Sequence, residues 1–250
     1  MVMQLNDIRA FTLAEVLITL GIIGVVAAIT IPTLMANYQK AQYVTALKKA
    51  YSQINQVLVK IADDHGCPGD LAGTGLFATG GTHKLIGDEL VKYLSVVKNC
   101  GDAGDGGTSG CFTDNHAENY DGQIPNSGLD SSYYRFITAD GMTFRLNSNM
   151  NDCALDWSNN ITNNMTQMCG SIMIDVNGLK GPNYMGRDIF NFYITNGKGP
   201  MLYPRGGTDD GTGDGSWAEP DGTINTCDSV DPDGWLCTGR VIEEGWHMNY

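Results

Sequence analysis

The residue whose position demands chemistry is Glu15. It stands in an apolar run from Phe11 to Leu34 that contains no other charge. At about 1.5 Å per residue such a run, read as a helix, crosses a bilayer core of roughly 30 Å. A carboxylate in hydrocarbon costs on the order of 2.5–3.5 kcal/mol, so Glu15 needs a partner there. A second set of reactive residues is the seven cysteines, all beyond the run. Behind an export anchor they are expected to form disulfides. Neighbours in sequence suggest Cys100–Cys111, Cys153–Cys169 and Cys227–Cys237, with Cys67 left over, although spacing alone does not fix connectivity. The rival is zinc held by Cys100, Cys111 and His116, and the lack of any CxxC pair counts against it. A third set is oxygen-rich. Asp175, Asn177 and Asp188 frame one loop, and Asp228, Asp231 and Asp233 precede Gly234 in another. Both have donors suited to Ca²⁺, but the second lacks a closing Glu at loop position twelve. The competing account is that Asp, Asn and Gly simply make turns and solvated loops.

Other chemistry is missing. The histidines, at 65, 83, 116 and 247, lie in loop-like sequence without an HExxH pattern or nucleophile elbow. The glycine-rich stretch at 101–107 lacks the lysine and the strand–helix context of a phosphate loop. The chain is expected not to be an enzyme. With 28 acidic against 15 basic residues the formal net charge is −13. That disfavours nucleic acid as a partner, because phosphate neutralisation needs clustered Lys and Arg.

Among the elements that position these residues, 1–10 reads as a leader and 11–36 as the membrane-spanning N-terminal helix. Pro32 removes a backbone donor and is expected to kink or loosen it. From 37 to 65 the apolar residues Tyr43, Leu47, Ala50, Ile54, Leu58 and Ile61 recur at helical spacing. This predicts one long helix whose outer half lays a stripe on a sheet, ended near Gly66. Residues 67–132 read as a variable connector with one short helix from Leu85 to Val97. The sheet is expected within 133–203. Tyr133–Thr138 and Met142–Leu146 flank a hairpin signal at Asp140-Gly141, and Ser171–Val176 and Ile189–Ile194 alternate apolar residues. Residues 204–250 read as an acidic, loop-rich tail. A helix followed by strands gives an α+β head over 37–250, with an antiparallel sheet packed on the long helix.

The stretch Ala10-Phe11-Thr12-Leu13-Ala14-Glu15 resembles the cleavage and methylation motif of type IV prepilins and of type II secretion pseudopilins. A proline at the distance of Pro32 is also common in that family. Ala10 stands where the family usually has glycine, and Arg9 is the leader's single basic residue. The resemblance implies a pilin-like fold and cleavage by a prepilin peptidase between Ala10 and Phe11. It implies methylation of the new amine of Phe11 by the same peptidase/methylase. It also implies pairing of Glu15 with such an amine during assembly. A cation and a carboxylate, each costly alone in lipid, are tolerable together. The implied function is that of a structural subunit of a type IV pilus or secretion pseudopilus. Its partners would be other pilin or pseudopilin subunits in a helical filament. It would cross the inner membrane once, with the head exported and the filament in the periplasm or at the cell surface. Some pseudopilins bind calcium in the C-terminal part of the head. The alternatives are a membrane-anchored minor pilin with an adhesive or ligand-binding head, an ordinary anchor, and a secretory signal peptide cut near Val26-Ala27-Ala28.

Overall fold

The computed structural model describes residues 12–78, 83–102, 110–112, 133–148, 151–156, 166–206, 208–209, 212–213 and 234–250. It divides into two compact units, Met1–Ala41 and Gln42–Tyr250. One helix, α1 (Leu13–Asp64, 52 residues), runs through both.

Within the first unit the large apolar side chains stand exposed: Leu13 is 79% exposed, Ile29 70% and Leu34 70%. Two hydroxyls in this stretch are satisfied inside the helix. Thr19 donates to the Val16 carbonyl at 3.0 Å and Thr30 to the Val26 carbonyl at 2.9 Å, as a low-dielectric surrounding requires. By length and composition this half of α1 is a candidate membrane span. At Pro32 the ring removes the bond to the carbonyl four residues earlier, but the helix is not interrupted there.

Within the second unit α1 buries Leu47, Ala50, Ile54, Leu58, Ile61 and Ala62 completely. They meet a six-stranded antiparallel sheet whose strands lie in chain order: β1 (Val96–Asp102), β2 (Tyr134–Thr138), β3 (Thr143–Asn147), β4 (Met168–Asp175), β5 (Ile189–Thr195) and β6 (Met201–Pro204). Register explains the core. Phe136, Phe144, Ile174 and Phe190 are paired across four strands, and Tyr134, Leu146, Ile172 and Phe192 form the next row. All eight join one cluster with the α1 stripe. The intervening row is Arg135, Arg145, Met173 and Asn191, which strand alternation puts on the opposite face of the sheet. The Arg145 guanidinium lies 3.5 Å over the Tyr133 ring and its Nη1 meets Met173 Sδ at 3.7 Å.

The fold is α+β, a long N-terminal helix packed on an antiparallel sheet, a pilin-like architecture. Three expectations are corrected. The short helix α2 (Lys84–Tyr93) ends at Tyr93, because Leu94 is already extended and Val96 begins β1. Helical spacing up to Val97 had masked that edge strand, so the sheet starts inside the region read as a connector. Second, Met201–Pro204 supplies a sixth strand. Third, the region read as a loop-rich tail contains α3 (Cys237–Glu243), whose Val241 is fully buried in the main core, as Met248 nearly is.

Candidate functional site

Two places gather the chemistry, one in each unit. The first is the start of α1. Ala10 and Phe11 lie outside the described residues. Thr12 is the residue before the helix. Its backbone N–H donates to Glu15 Oε2 at 2.8 Å and its hydroxyl donates to the same oxygen at 2.7 Å. The Glu15 N–H donates to the Thr12 hydroxyl at 3.2 Å. This is a capping box, in which the first-turn donors and the carboxylate satisfy one another. Thr12 was legible as the Thr-x-x-Glu pattern ahead of an apolar run, but the sequence reading took the carboxylate alone. The box holds Glu15 at the helix end nearest Phe11, where the helix dipole favours a negative charge.

The second place is the loop that joins β4 to β5. Asp175 is the last residue of β4, and Asp188 immediately precedes β5. Both are fully buried. Asp188 organises the loop from within. Its Oδ2 accepts from the Asn183 N–H at 2.8 Å and from Asn177 Nδ2 at 3.0 Å, and its Oδ1 accepts from the Tyr184 N–H at 2.7 Å. Asp175 Oδ1 accepts from the Asn177 N–H at 3.2 Å. Asn177 also reaches Tyr43 of α1, its Nδ2 lying 3.4 Å from the phenol oxygen. Gly178 has φ +68°, and a Cβ there would meet the Gly141 carbonyl at 2.1 Å, so only glycine fits this turn. Burial, reinforced by the charge of Asp188, pushes the Asp175 carboxyl up to about 9. Burial raises Asp188 as well, against the loop N–H groups that favour its charged form.

The structure thus brings together Asp175, Asn177 and Asp188, which the sequence had grouped. It adds Asn183, missed because an Asn in a Gly-Pro-Asn turn reads as ordinary turn chemistry. Asp228, Asp231 and Asp233 lie outside the described residues. Disulfides join Cys100 to Cys111 and Cys153 to Cys169, and Cys67 is a free thiol. Cys237 is also disulfide-bonded; its expected partner, Cys227, lies outside the described residues. Among the described residues no three His, Cys, Asp or Glu side chains converge on a metal position. His83, in a loop by sequence, is buried and its Nδ1 accepts from the Ser148 N–H at 3.0 Å, a packing role.

Comparison with known proteins bears on the first place. The chain matches the family model described as the prokaryotic N-terminal methylation motif over residues 5–31. That stretch includes Ala10, Phe11 and Glu15, so the chain carries a prepilin-type N-terminus. No curated protein and no solved structure matches the chain. The motif covers the membrane-type half of α1 and none of the head. It supports a pilin- or pseudopilin-like protein that is processed by a peptidase, assembles with other such subunits and is compatible with membrane anchoring.

Proposed function

We propose that this protein is a structural subunit of a type IV pilus or a type II secretion pseudopilus, and that its work is mechanical rather than catalytic. The observation that carries the reading is the methylation motif at residues 5–31, with Glu15 as the one acid in an exposed apolar helix. Before assembly the helix anchors the chain in the inner membrane and the head is exported. Cleavage between Ala10 and Phe11 creates an N-terminal amine on the residue immediately before the capping box of Thr12 and Glu15. In the filament, that amine of one subunit meets Glu15 of another, so two charges that hydrocarbon disfavours enter it as a pair. Burial of the exposed side chains of α1 among neighbouring helices then forms the filament interior, and the heads face outward.

The test is the intact mass and N-terminal peptide of the protein recovered from the membranes of its own host. The expected chain begins at a methylated Phe11. A chain that begins at Met1 would reduce the helix to a plain anchor. One that begins near Ile29 would make the protein a released one, and either result overturns the proposal.

A further inference from the structure

The head carries a groove of about 550 Å³ between α1 and the β2–β3 turn. One wall is α1. Lys49, Gln53, Gln56 and Lys60 follow one another at steps of four, three and four residues, which puts them on one face of the helix. The other wall is the end of α2 with the residues leading into β1, and the turn itself at Ala139 and Asp140. Val57 and Leu94 give the groove its apolar surface, and Tyr93 adds an aromatic ring. The charges are balanced within the protein. Lys49 Nζ lies 2.8 Å from Asp140 Oδ2, joining α1 to the turn, and Lys60 Nζ lies 3.0 Å from Asp64 Oδ2. A charged ligand would have to displace one of these pairs, and a polyanion would also meet the net charge of −13. The main chain at the rim is engaged as well. The Ala139 N–H donates to the Ser95 carbonyl at 2.7 Å, and the Val96 N–H to the Leu94 carbonyl at 2.9 Å. A peptide docking by strand addition would need such groups free. What stays open are side-chain amides. Gln53 makes no hydrogen bond among the described residues. Gln56 donates through Nε2 to Ser52 Oγ at 3.1 Å, which leaves its Oε1.

We infer that this groove binds a short neutral oligosaccharide. Its volume falls within the roughly 300–1,000 Å³ of small-molecule sites. A sugar hydroxyl both donates and accepts, so neighbouring hydroxyls can meet the Lys49–Asp140 pair without breaking it. The ammonium donates to one hydroxyl and the carboxylate accepts from the next. The amides of Gln53 and Gln56 offer the same mixture, a donor and an acceptor on one group. The C–H face of a sugar ring packs on Val57, Leu94 and the Tyr93 ring. A hydrocarbon ligand would instead cover the Gln amides and give them no partner. The lysines at the two ends are about half exposed, 51% and 59% for their side chains. Water therefore competes for every polar contact, and the affinity is modest. The inference is independent of whether the subunit polymerises.

The test uses the full chain in a detergent that has no sugar head group. Maltotriose, cellotriose and triacetylchitotriose are titrated in turn by calorimetry, with saturation-transfer NMR to register weak binding. At least one is expected to bind with a Kd on the order of 1 mM. That value should change little between low and physiological salt, because the ligand brings no charge into the groove. Gln53→Ala should weaken binding by about five- to tenfold. Ala139→Trp, at an exposed position lining the groove, should abolish it. Both variants should melt like the parent. Gln42→Ala, exposed on α1 outside the groove, should leave binding and melting unchanged. Three results overturn the inference: no binding of any of the three sugars at concentrations well above millimolar, binding that survives both groove substitutions, or pentaglycine binding as tightly as the best sugar.

Discussion

The two halves of α1 treat the same residue types in opposite ways. Up to Met35 its leucines, isoleucines and valines are exposed all round the helix, whereas from Val44 to Ala62 the leucines, isoleucines and valines form one buried stripe, with Val59 the exception. The second half is a helix of a folded head: its other faces carry Lys48, Lys49, Gln53 and Lys60, and the stripe is complementary to two rows of sheet residues. The first half has no face set aside for water. What it teaches is that hydrophobicity is not one signal. Apolar residues at a 3.6-residue period mean an internal surface, and apolar residues at every period mean that the solvent itself is apolar.

This contrast can be broken from either side. The largest effect is expected from Glu15→Ala. Filament incorporation should fall to background in a sheared or sedimented fraction, while the melting of the head stays unchanged; a normal filament yield would remove Glu15 from assembly. Next, Leu58→Ala empties a fully buried position and should destabilise the head by about 2–5 kcal/mol in denaturant titration. The same truncation at Ile22, 61% exposed, should leave that titration unmoved. Removing the Cys153–Cys169 link, which closes a sequence separation of 16, should cost about 3 kcal/mol, read as the loss of unfolding free energy in the paired Cys153→Ser and Cys169→Ser variant under oxidising conditions. The smallest effect belongs to the α1–hairpin contact. Partial burial pushes the Asp140 carboxyl up, but Lys49 Nζ at 2.8 Å and the Thr138 hydroxyl outweigh it and hold the group below its ordinary range. A lowered folded pKa contributes stability above the unfolded value and loses it as pH falls through the folded one. Lys49→Met should therefore cost about 0.5 kcal/mol at neutral pH and nothing in acid strong enough to protonate Asp140.

Much of this arrangement could be read from the residues, and the failures have physical causes. The stripe on α1 and the alternation of Ile172, Ile174, Phe190 and Phe192 appear in the sequence because one buried face repeats over many residues. β1 was hidden because Leu85, Leu90, Leu94 and Val97 happen to continue a helical spacing across the α2–β1 boundary. α3, at seven residues, is too short to show a period. In the β4–β5 loop the pairing of Asp175 with Asp188 depends on the hairpin that returns the chain 13 positions later. Composition showed the acids there, but not that both would be buried. The capping role of Thr12 was available from spacing alone.

The order of the sheet carries a consequence for how the head is made. Every strand of the six-stranded sheet pairs with the one before it in the chain, so the sheet can grow one pairing at a time, although the link from Asp102 to Tyr134 is far longer than the one from Thr138 to Thr143. The helix follows a different timetable. Asn55 Oδ1 accepts from the Leu202 N–H at 2.7 Å across a sequence separation of 147, and Val241 of the last helix completes the same core. Contacts so distant in sequence are slow to form, because the loop they close must be ordered first. The inner stripe of α1, among the first segments of the head to be synthesised, therefore stays uncovered until its last segments arrive. A chain threaded outward through a membrane would have to be protected at that stripe throughout its passage, and the stripe is where a stalled or truncated head would aggregate.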